Sequence, residues 1–293
     1  MKTLINSIKC DLIKNITNIA FYIAVILGGI LVFTFQVYED SLGNVYNSIT
    51  IVCNMSKEEM AKEYLFGEQI FMTTLRTCMP MYAMVISAFS YVVGLLSEKE
   101  NKVTKYVIYR IGRTRYVFSK AIYSMISSGA VFGILTIIYA IYIHAFFPSM
   151  KSLPEEEYQM FWQFQSVGDN EKSLLLYELF GFKAEYFYGI AGMILYGCFC
   201  AAVGFLMYSM VQNIYFNLCI PFFVGYFQYS LVNIIMSMKP QLYVTKYGYG
   251  DYYLNFWHNQ KYLWVNVLIF TGIWGIAIIA NIIKYNRKYN LEG

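Results

Sequence analysis

YFYGIAGMILYGCFCAAVGFLMYSMVQNIYFNLCIPFFVGYFQYSLVNIIMSM, residues 186–238, contains no Asp, Glu, Lys or Arg. A bilayer core ~30 Å thick is crossed by ~20 apolar residues of helix, so this run can supply two spans in succession. Outward from it, four more charge-free windows occur at 15–38, 77–97, 121–150 and 263–283. Each is long enough for one span. Together the five windows cover about half of the chain, and all 22 basic and 18 acidic residues sit in the other half. Charged residues are 14% of the chain and mean hydropathy is +0.46, where a soluble domain carries ~25% charge. A soluble domain is excluded. The expectation is an all-α membrane protein with six transmembrane helices at about 16–36, 77–96, 119–147, 187–210, 214–237 and 263–283, forming one domain over residues 1–293.

A removable signal peptide would explain Lys2, Lys9 and Lys14 before an apolar run, but no small-residue cleavage site follows at Gln36-Val37-Tyr38. A transmembrane β-barrel needs alternation over ~10 residues, not continuous apolar runs. Of the six cysteines, Cys78, Cys198, Cys200 and Cys219 fall in expected spans, while Cys10 and Cys53 fall on opposite sides. All six read as packing residues or inert thiols.

Lys and Arg in short loops set orientation. The N-terminal segment, the loop from 97 to 120 and the C-terminal tail hold 13 basic and 4 acidic residues, and the other side holds 9 basic and 14 acidic. Both termini are therefore expected to be cytoplasmic, and an even number of spans is consistent with their lying on one side. On the outer side, Ser56 followed three residues later by Glu59 reads as a capping box opening a short helix. Pro154-Glu-Glu-Glu157 reads as another helix start. Segment 238–262 is dense in aromatics, including Tyr252, Phe256 and Trp257. Such amphipathic rings settle at headgroup depth, which suits short interfacial or re-entrant elements; an aromatic loop packed on the spans reads equally well.

Catalytic constellations are sparse. His144 and His258 have no HExxH, Cys-x-x-Cys or carboxylate cluster around them, and Cys198-Phe-Cys200 has the wrong spacing for zinc. Ser127-Ser128-Gly129 lacks a histidine at matching depth, so Ser124, Ser128, Gly129 and Gly133 read as small residues for close helix packing. Asn217, Gln228, Asn233, Asn266 and Asn281 read as interhelical hydrogen-bond partners. No phosphate-binding Gly-x-x-x-x-Gly-Lys-Ser/Thr occurs, so an ATP requirement would have to be met by another chain. Ionisable residues, the mark of ion-coupled carriers, are absent from every expected span core.

The loop Ser97-EKENKVTKYVIYRIGRTRYVFS-Lys120 is the most informative stretch. Val103, Val107, Ile108 and Ile111 recur at helical spacing, opposite Lys102, Lys105 and Arg110, and Gly112 can end the helix with a left-handed residue. One reading is an amphipathic helix lying on an anionic leaflet. The loop also resembles that of ABC-2-type exporter permeases, the six-span subunits of type-2 ABC exporters. Glu100, Thr104, Thr114, Arg115 and Lys120 match places in that family's loop, whereas Val103 stands where Gly is usual and Gly112 where Pro is frequent. Topology matches as well: six spans, almost no turn between the fourth and fifth, elements before the last span that would re-enter, and Pro221 in the fifth.

That resemblance implies a permease subunit exporting a peptide, lipid or drug. Its partners would be separate ABC ATPase subunits holding ATP and Mg, a second permease copy or homologue, and the lipid bilayer of the cell membrane. No enzyme activity, cofactor, metal or nucleic-acid partner of its own is implied. Glu100, Thr104, Tyr106, Ile108, Arg110 and Arg115 would couple to the ATPase, and Tyr252, Phe256 and Trp257 would gate the outer mouth. The alternative is a non-transporting immunity, sensor or scaffold protein of the same topology.

Overall fold

Helix dominates the chain because its apolar windows can satisfy backbone N–H and C=O groups away from water only internally. The computed structural model describes residues 2–40, 43–100, 103–153, 156, 180, 183–210, 213–238 and 260–290. Its helices are α1 (Lys2–Ile16), α2 (Ile19–Thr34), α3 (Ser48–Asn54), α4 (Lys57–Lys62), α5 (Gly67–Glu100), α6 (Val103–Ile111), α7 (Arg113–Phe146), α8 (Ala184–Met210), α9 (Ile214–Met238) and α10 (Gln260–Asn290). A two-stranded antiparallel hairpin, β1 (Gln36–Glu39) and β2 (Val45–Asn47), follows α2.

The expected windows fall largely on α2, α5, α7, α8, α9 and α10, and the first also takes in the end of α1 and the start of β1. Among the described residues, α7 and α8 are long and apolar enough to cross a membrane, and α1 with α2 counts as a third if that bent pair is one span. α5 and α7, 34 residues each, rise ~51 Å at ~1.5 Å per residue, well beyond a bilayer core. The expected window therefore captured only the apolar middle of α5, and it missed the first turns of α7. α2 is shorter than its window. The Asn18 side chain accepts from Ala20 N–H at 3.0 Å and starts the helix at Ile19, and Phe35 is already extended. α1 meets α2 at a 63° bend.

α5 and α7 form the centre. α8 packs against both, α2 lies across both, α9 packs on α5, and α10 lies against α8 and α7. Small residues permit this closeness, as expected for Ser124, Ser128, Gly129 and Gly133. A Cβ at Gly197 would sit 2.5 Å from Phe132 and 3.0 Å from the Ser128 carbonyl, and one at Gly129 would meet Cys198 Sγ at 2.8 Å. Serines join the same three helices. Ser128 Oγ lies 2.7 Å from Ser87 Oγ and donates to the Gly197 carbonyl at 2.8 Å, while Ser127 Oγ donates to the Ser90 carbonyl at 3.0 Å. The Asn281 amide reaches from α10 to the Phe205 carbonyl of α8 at 3.0 Å. All six cysteines are free thiols, with Cys78 and Cys200 buried.

One apolar cluster fills the acidic end of the bundle and another the basic end. In the first, Phe33 of α2, Phe71 of α5 and Tyr142 of α7 surround or adjoin Tyr139, with Phe33 edge-on to Tyr139 at 5.3 Å and Phe71 stacked on it at 6.0 Å. Above it sits the hairpin, which the sequence reading did not anticipate. Asp40 accepts from the backbone N–H of Asn44 at 2.8 Å and from the Tyr46 hydroxyl at 3.1 Å, and Gly43 adopts φ +81° to close the turn. Glu68, in the first turn of α5, is buried and accepts from Ser149 Oγ at 2.7 Å and Met150 N–H at 3.1 Å. The helix start expected at Pro154-Glu157 and the aromatic segment with Tyr252, Phe256 and Trp257 lie largely or wholly outside the described residues.

The Ser56–Glu59 capping box forms as expected. Ser56 N–H donates to Glu59 Oε2 at 2.7 Å and Glu59 N–H to Ser56 Oγ at 3.3 Å, opening α4. The hydrogen bond from the Ser56 backbone, then that from its side chain, holds the Glu59 carboxyl below its ordinary range. A depressed folded-state pKa means the cap's contribution is present above the ordinary carboxylate range and is lost as pH falls through the depressed value. Limited proteolysis across 57–62 should therefore accelerate on acidification. A Glu59→Gln variant keeps the cap without titrating, and should show no such acceleration.

Candidate functional site

α6 takes its shape from its own spacing. Thr104, Ile108 and Ile111 recur at helical intervals with Val107 beside them; Thr104 and Ile108 are buried and Val107 and Ile111 half-buried. Ile108 belongs to the same apolar cluster as Leu95 and Leu96 of α5 and Tyr116 and Val117 of α7. The amphipathic helix is therefore present, and its apolar face is seated on protein. The opposite face carries Lys105, Tyr106, Tyr109 and Arg110, with Tyr106 76% and Tyr109 74% exposed.

A single residue joins α6 to α7. The Gly112 N–H donates to the Ile108 carbonyl at 2.9 Å, closing α6, and its own carbonyl accepts from Tyr116 N–H at 3.0 Å, opening α7. Its φ is +87°, as expected for a glycine stop, but ψ is 150°, extended rather than left-handed helical. Proline, with φ fixed near −65° and no N–H, could occupy neither this conformation nor this hydrogen bond.

The other loop residues separate. Thr114 and Arg115 are exposed on the first turn of α7, and Arg113 reaches Asn286 Oδ1 of α10 at 3.4 Å. Glu100 is the last residue of α5, and its side chain lies outside the described set. Four of the six expected coupling residues are thus accessible or undescribed, while Thr104 and Ile108 anchor the helix.

Beneath α6 lies a group that sequence reading missed. Lys120 is 5% exposed at its side chain, with its ammonium 2.6 Å from Asp11 Oδ1 of α1 and 2.7 Å from Glu98 Oε2 of α5. Ser119 Oγ donates to Asp11 Oδ2 at 3.0 Å and lies 3.0 Å from Ser7 Oγ. Lys14, on the surface, approaches Glu98 Oε1 at 3.3 Å. The rings of Tyr116 and Tyr123 flank the Lys120 ammonium at 5.4 and 5.8 Å. Two cations and two carboxylates balance, which is what makes a buried group of this kind tolerable. The available signal was the spacing Ser7–Asp11 beside Ile8 and Leu12, which puts polar and apolar residues on one face of α1.

This arrangement can hold and transmit position. Nucleophilic chemistry has no support in it: the Ser127 and Ser128 hydroxyls are engaged in packing bonds, and His144 lies at the other end of α7, edge-on to Tyr186 at 6.0 Å. Among the described residues, no group of three or more His, Cys, Asp or Glu is placed to hold a metal. Comparisons of the chain with protein-family models, with curated proteins and with solved structures return no match.

Proposed function

We propose that this chain is the membrane-spanning permease subunit of an ATP-driven exporter of the ABC-2 type, multi-pass in the cell membrane, with both termini and α6 cytoplasmic. The observation that carries the reading is α6 itself. A short helix clamped by one face to the ends of two long helices, with an exposed aromatic and basic face opposite, is suited to receive force from a second protein. The three residues between α8 and α9, and Pro221 inside α9, fit the same family pattern. In this reading ATP and Mg belong to a separate ATPase chain. Its closure moves α6, and α7 follows through Gly112. A peptide, lipid or hydrophobic drug would pass along the interface with a second permease, where α2 and α9 present exposed Ile26, Ile30, Phe223 and Phe227.

Affinity purification of the intact chain from membranes tests the reading directly: an ATPase with phosphate-binding loops should accompany it. Recovery of a partner without ATPase motifs would favour the immunity or scaffold alternative. A cysteine at position 110 should react only with permeant reagents in intact cells; an externally reactive one would overturn the orientation. Reversing charge at Glu100 and Arg115 together, or replacing Tyr106 and Arg110, should uncouple ATP hydrolysis from export while thermal stability holds, because removing interface partners costs about 2–5 kcal/mol of association. Truncating Tyr252, Phe256 and Trp257 should alter export before folding, and protection of 243–257 from protease in membranes is the accompanying check.

A further inference from the structure

Two amphipathic helices stand at the basic end, and they use their apolar residues differently. α6 turns its aliphatic residues onto α5 and α7. α1 turns Asp11, Ser7, Ile8 and Leu12 towards α7 and leaves another ridge uncovered: Ile5 is 57% and Ile13 54% exposed, with exposed Lys9 between them at successive four-residue steps. In water such a ridge is unfavourable. The 63° bend lays α1 across the direction of α2, whose own exposed Ile19, Tyr22, Ile23, Ile26 and Ile30 continue from the same end.

We infer that α1 lies in the headgroup region of the leaflet at the basic end, its Ile5 and Ile13 side chains in the acyl boundary and Lys9 on anionic lipid phosphates. The geometry fits a surface-lying amphipathic helix: apolar residues alternate along one ridge with a lysine whose stem can reach outward, and the helix runs oblique to the span it precedes. Charge complementarity identifies the occupant. The exposed basic residues Lys9, Lys14, Lys105, Arg110 and Arg115 cluster at this end, and an anionic leaflet attracts such segments. Because Asp11 on the opposite face is bonded to Lys120 and Ser119, the lipid-seated helix is tied directly to the base of α7. The leaflet's charge is thereby linked to the position of the helix that carries α6. This inference needs only that α7 and α8 cross a bilayer; it stands whether or not the chain is a transporter.

The test uses the full chain with Cys10, Cys53 and Cys219 changed to Ser and Asn6→Cys carrying an environment-sensitive fluorophore, since Asn6 shares the exposed arc with Ile13. A second preparation carries the label at Ile138→Cys, on the exposed side of α7, and reports whether the bundle is in lipid at all. Both are reconstituted in vesicles of phosphatidylcholine alone or with phosphatidylglycerol. The expected result is quenching of the position-6 label by shallow spin-labelled lipid, stronger with phosphatidylglycerol and protected from aqueous iodide. Lys9→Gln should shift the balance between lipid-seated and water-exposed label about fivefold in anionic vesicles and little in neutral ones. A position-6 label quenched freely by iodide in both compositions, while the position-138 label stays in lipid, overturns the inference. So does lipid quenching indifferent both to phosphatidylglycerol and to Lys9→Gln, which would mean that Lys9 meets no anionic headgroup.

Discussion

Lys120→Ala should be the most damaging single substitution at the basic end, destabilising the protein by about 3–5 kcal/mol. The lysine sits between Asp11 and Glu98 at 2.6 and 2.7 Å with its side chain 5% exposed, so removing it leaves two carboxylates facing each other without their shared cation. The penalty is that of stranded charge, not of one missing ion pair. A triple variant, Lys120→Met with Asp11→Leu and Glu98→Gln, should recover most of the loss, since replacing a whole buried ionic group by neutral residues of similar volume is often close to neutral. Lys14→Ala touches the same Glu98 from the surface, 61% exposed at its side chain, and should change stability by less than about 1 kcal/mol. Thermal unfolding in detergent distinguishes the three, and a recovery absent in the triple variant would show that the charges themselves fix the seat of α1.

Gly197→Val should be comparably severe, for a steric reason. The added Cβ would lie 2.5 Å from Phe132 and 3.0 Å from the Ser128 backbone carbonyl. The ring can give way, but the backbone of α7 can yield only if the helices separate. Separation also breaks the 2.8 Å bond from Ser128 to the Gly197 carbonyl. Overpacking costs about 1–3 kcal/mol and the lost hydrogen bond about 1 more. Gly275→Val on α10 is the control. A Cβ there meets nothing within 4 Å, so only helix propensity changes, by a few tenths of a kcal/mol. Equal effects at the two positions would remove the steric explanation.

Features that depend on neighbours in the chain were legible in the residues. The capping box at Ser56 needs only Glu59 three places on, and the stop at Gly112 needs only glycine's tolerance of positive φ. The face of α6 was legible too, because periodicity fixes which residues are apolar together. What that face rests on was not, since leaflet and protein satisfy the same pattern. The Ser7–Asp11 spacing marks a polar strip on α1 but does not name its partner, because Asp11 and Lys120 stand 109 residues apart. Asp11 alone reads as an ordinary solvated acid near basic neighbours. The hairpin at 36–47 was hidden for the opposite reason: strands of four and three residues leave too little alternation to register. Of the candidate site, local spacing supplied Ile108 and Arg110 and resemblance supplied Thr104 and Arg115. The ionic seat below them came only from the folded chain.

The one-residue joint at Gly112 makes this stretch intolerant of changes in length. A residue inserted between Ile108 and Tyr116 turns everything before it by ~100° relative to α7. Ile108 would then leave its seat, or the two bonds made by Gly112 would break. A deletion does the same in the other sense. Asp40 holds the start of β2, and Gly43 and Asn44 before that strand are exposed, so extra residues there would add only the small entropy of a longer loop. Among relatives of this chain, sequence between 104 and 120 should therefore diverge without gaps, while insertions and deletions gather in the hairpin turn.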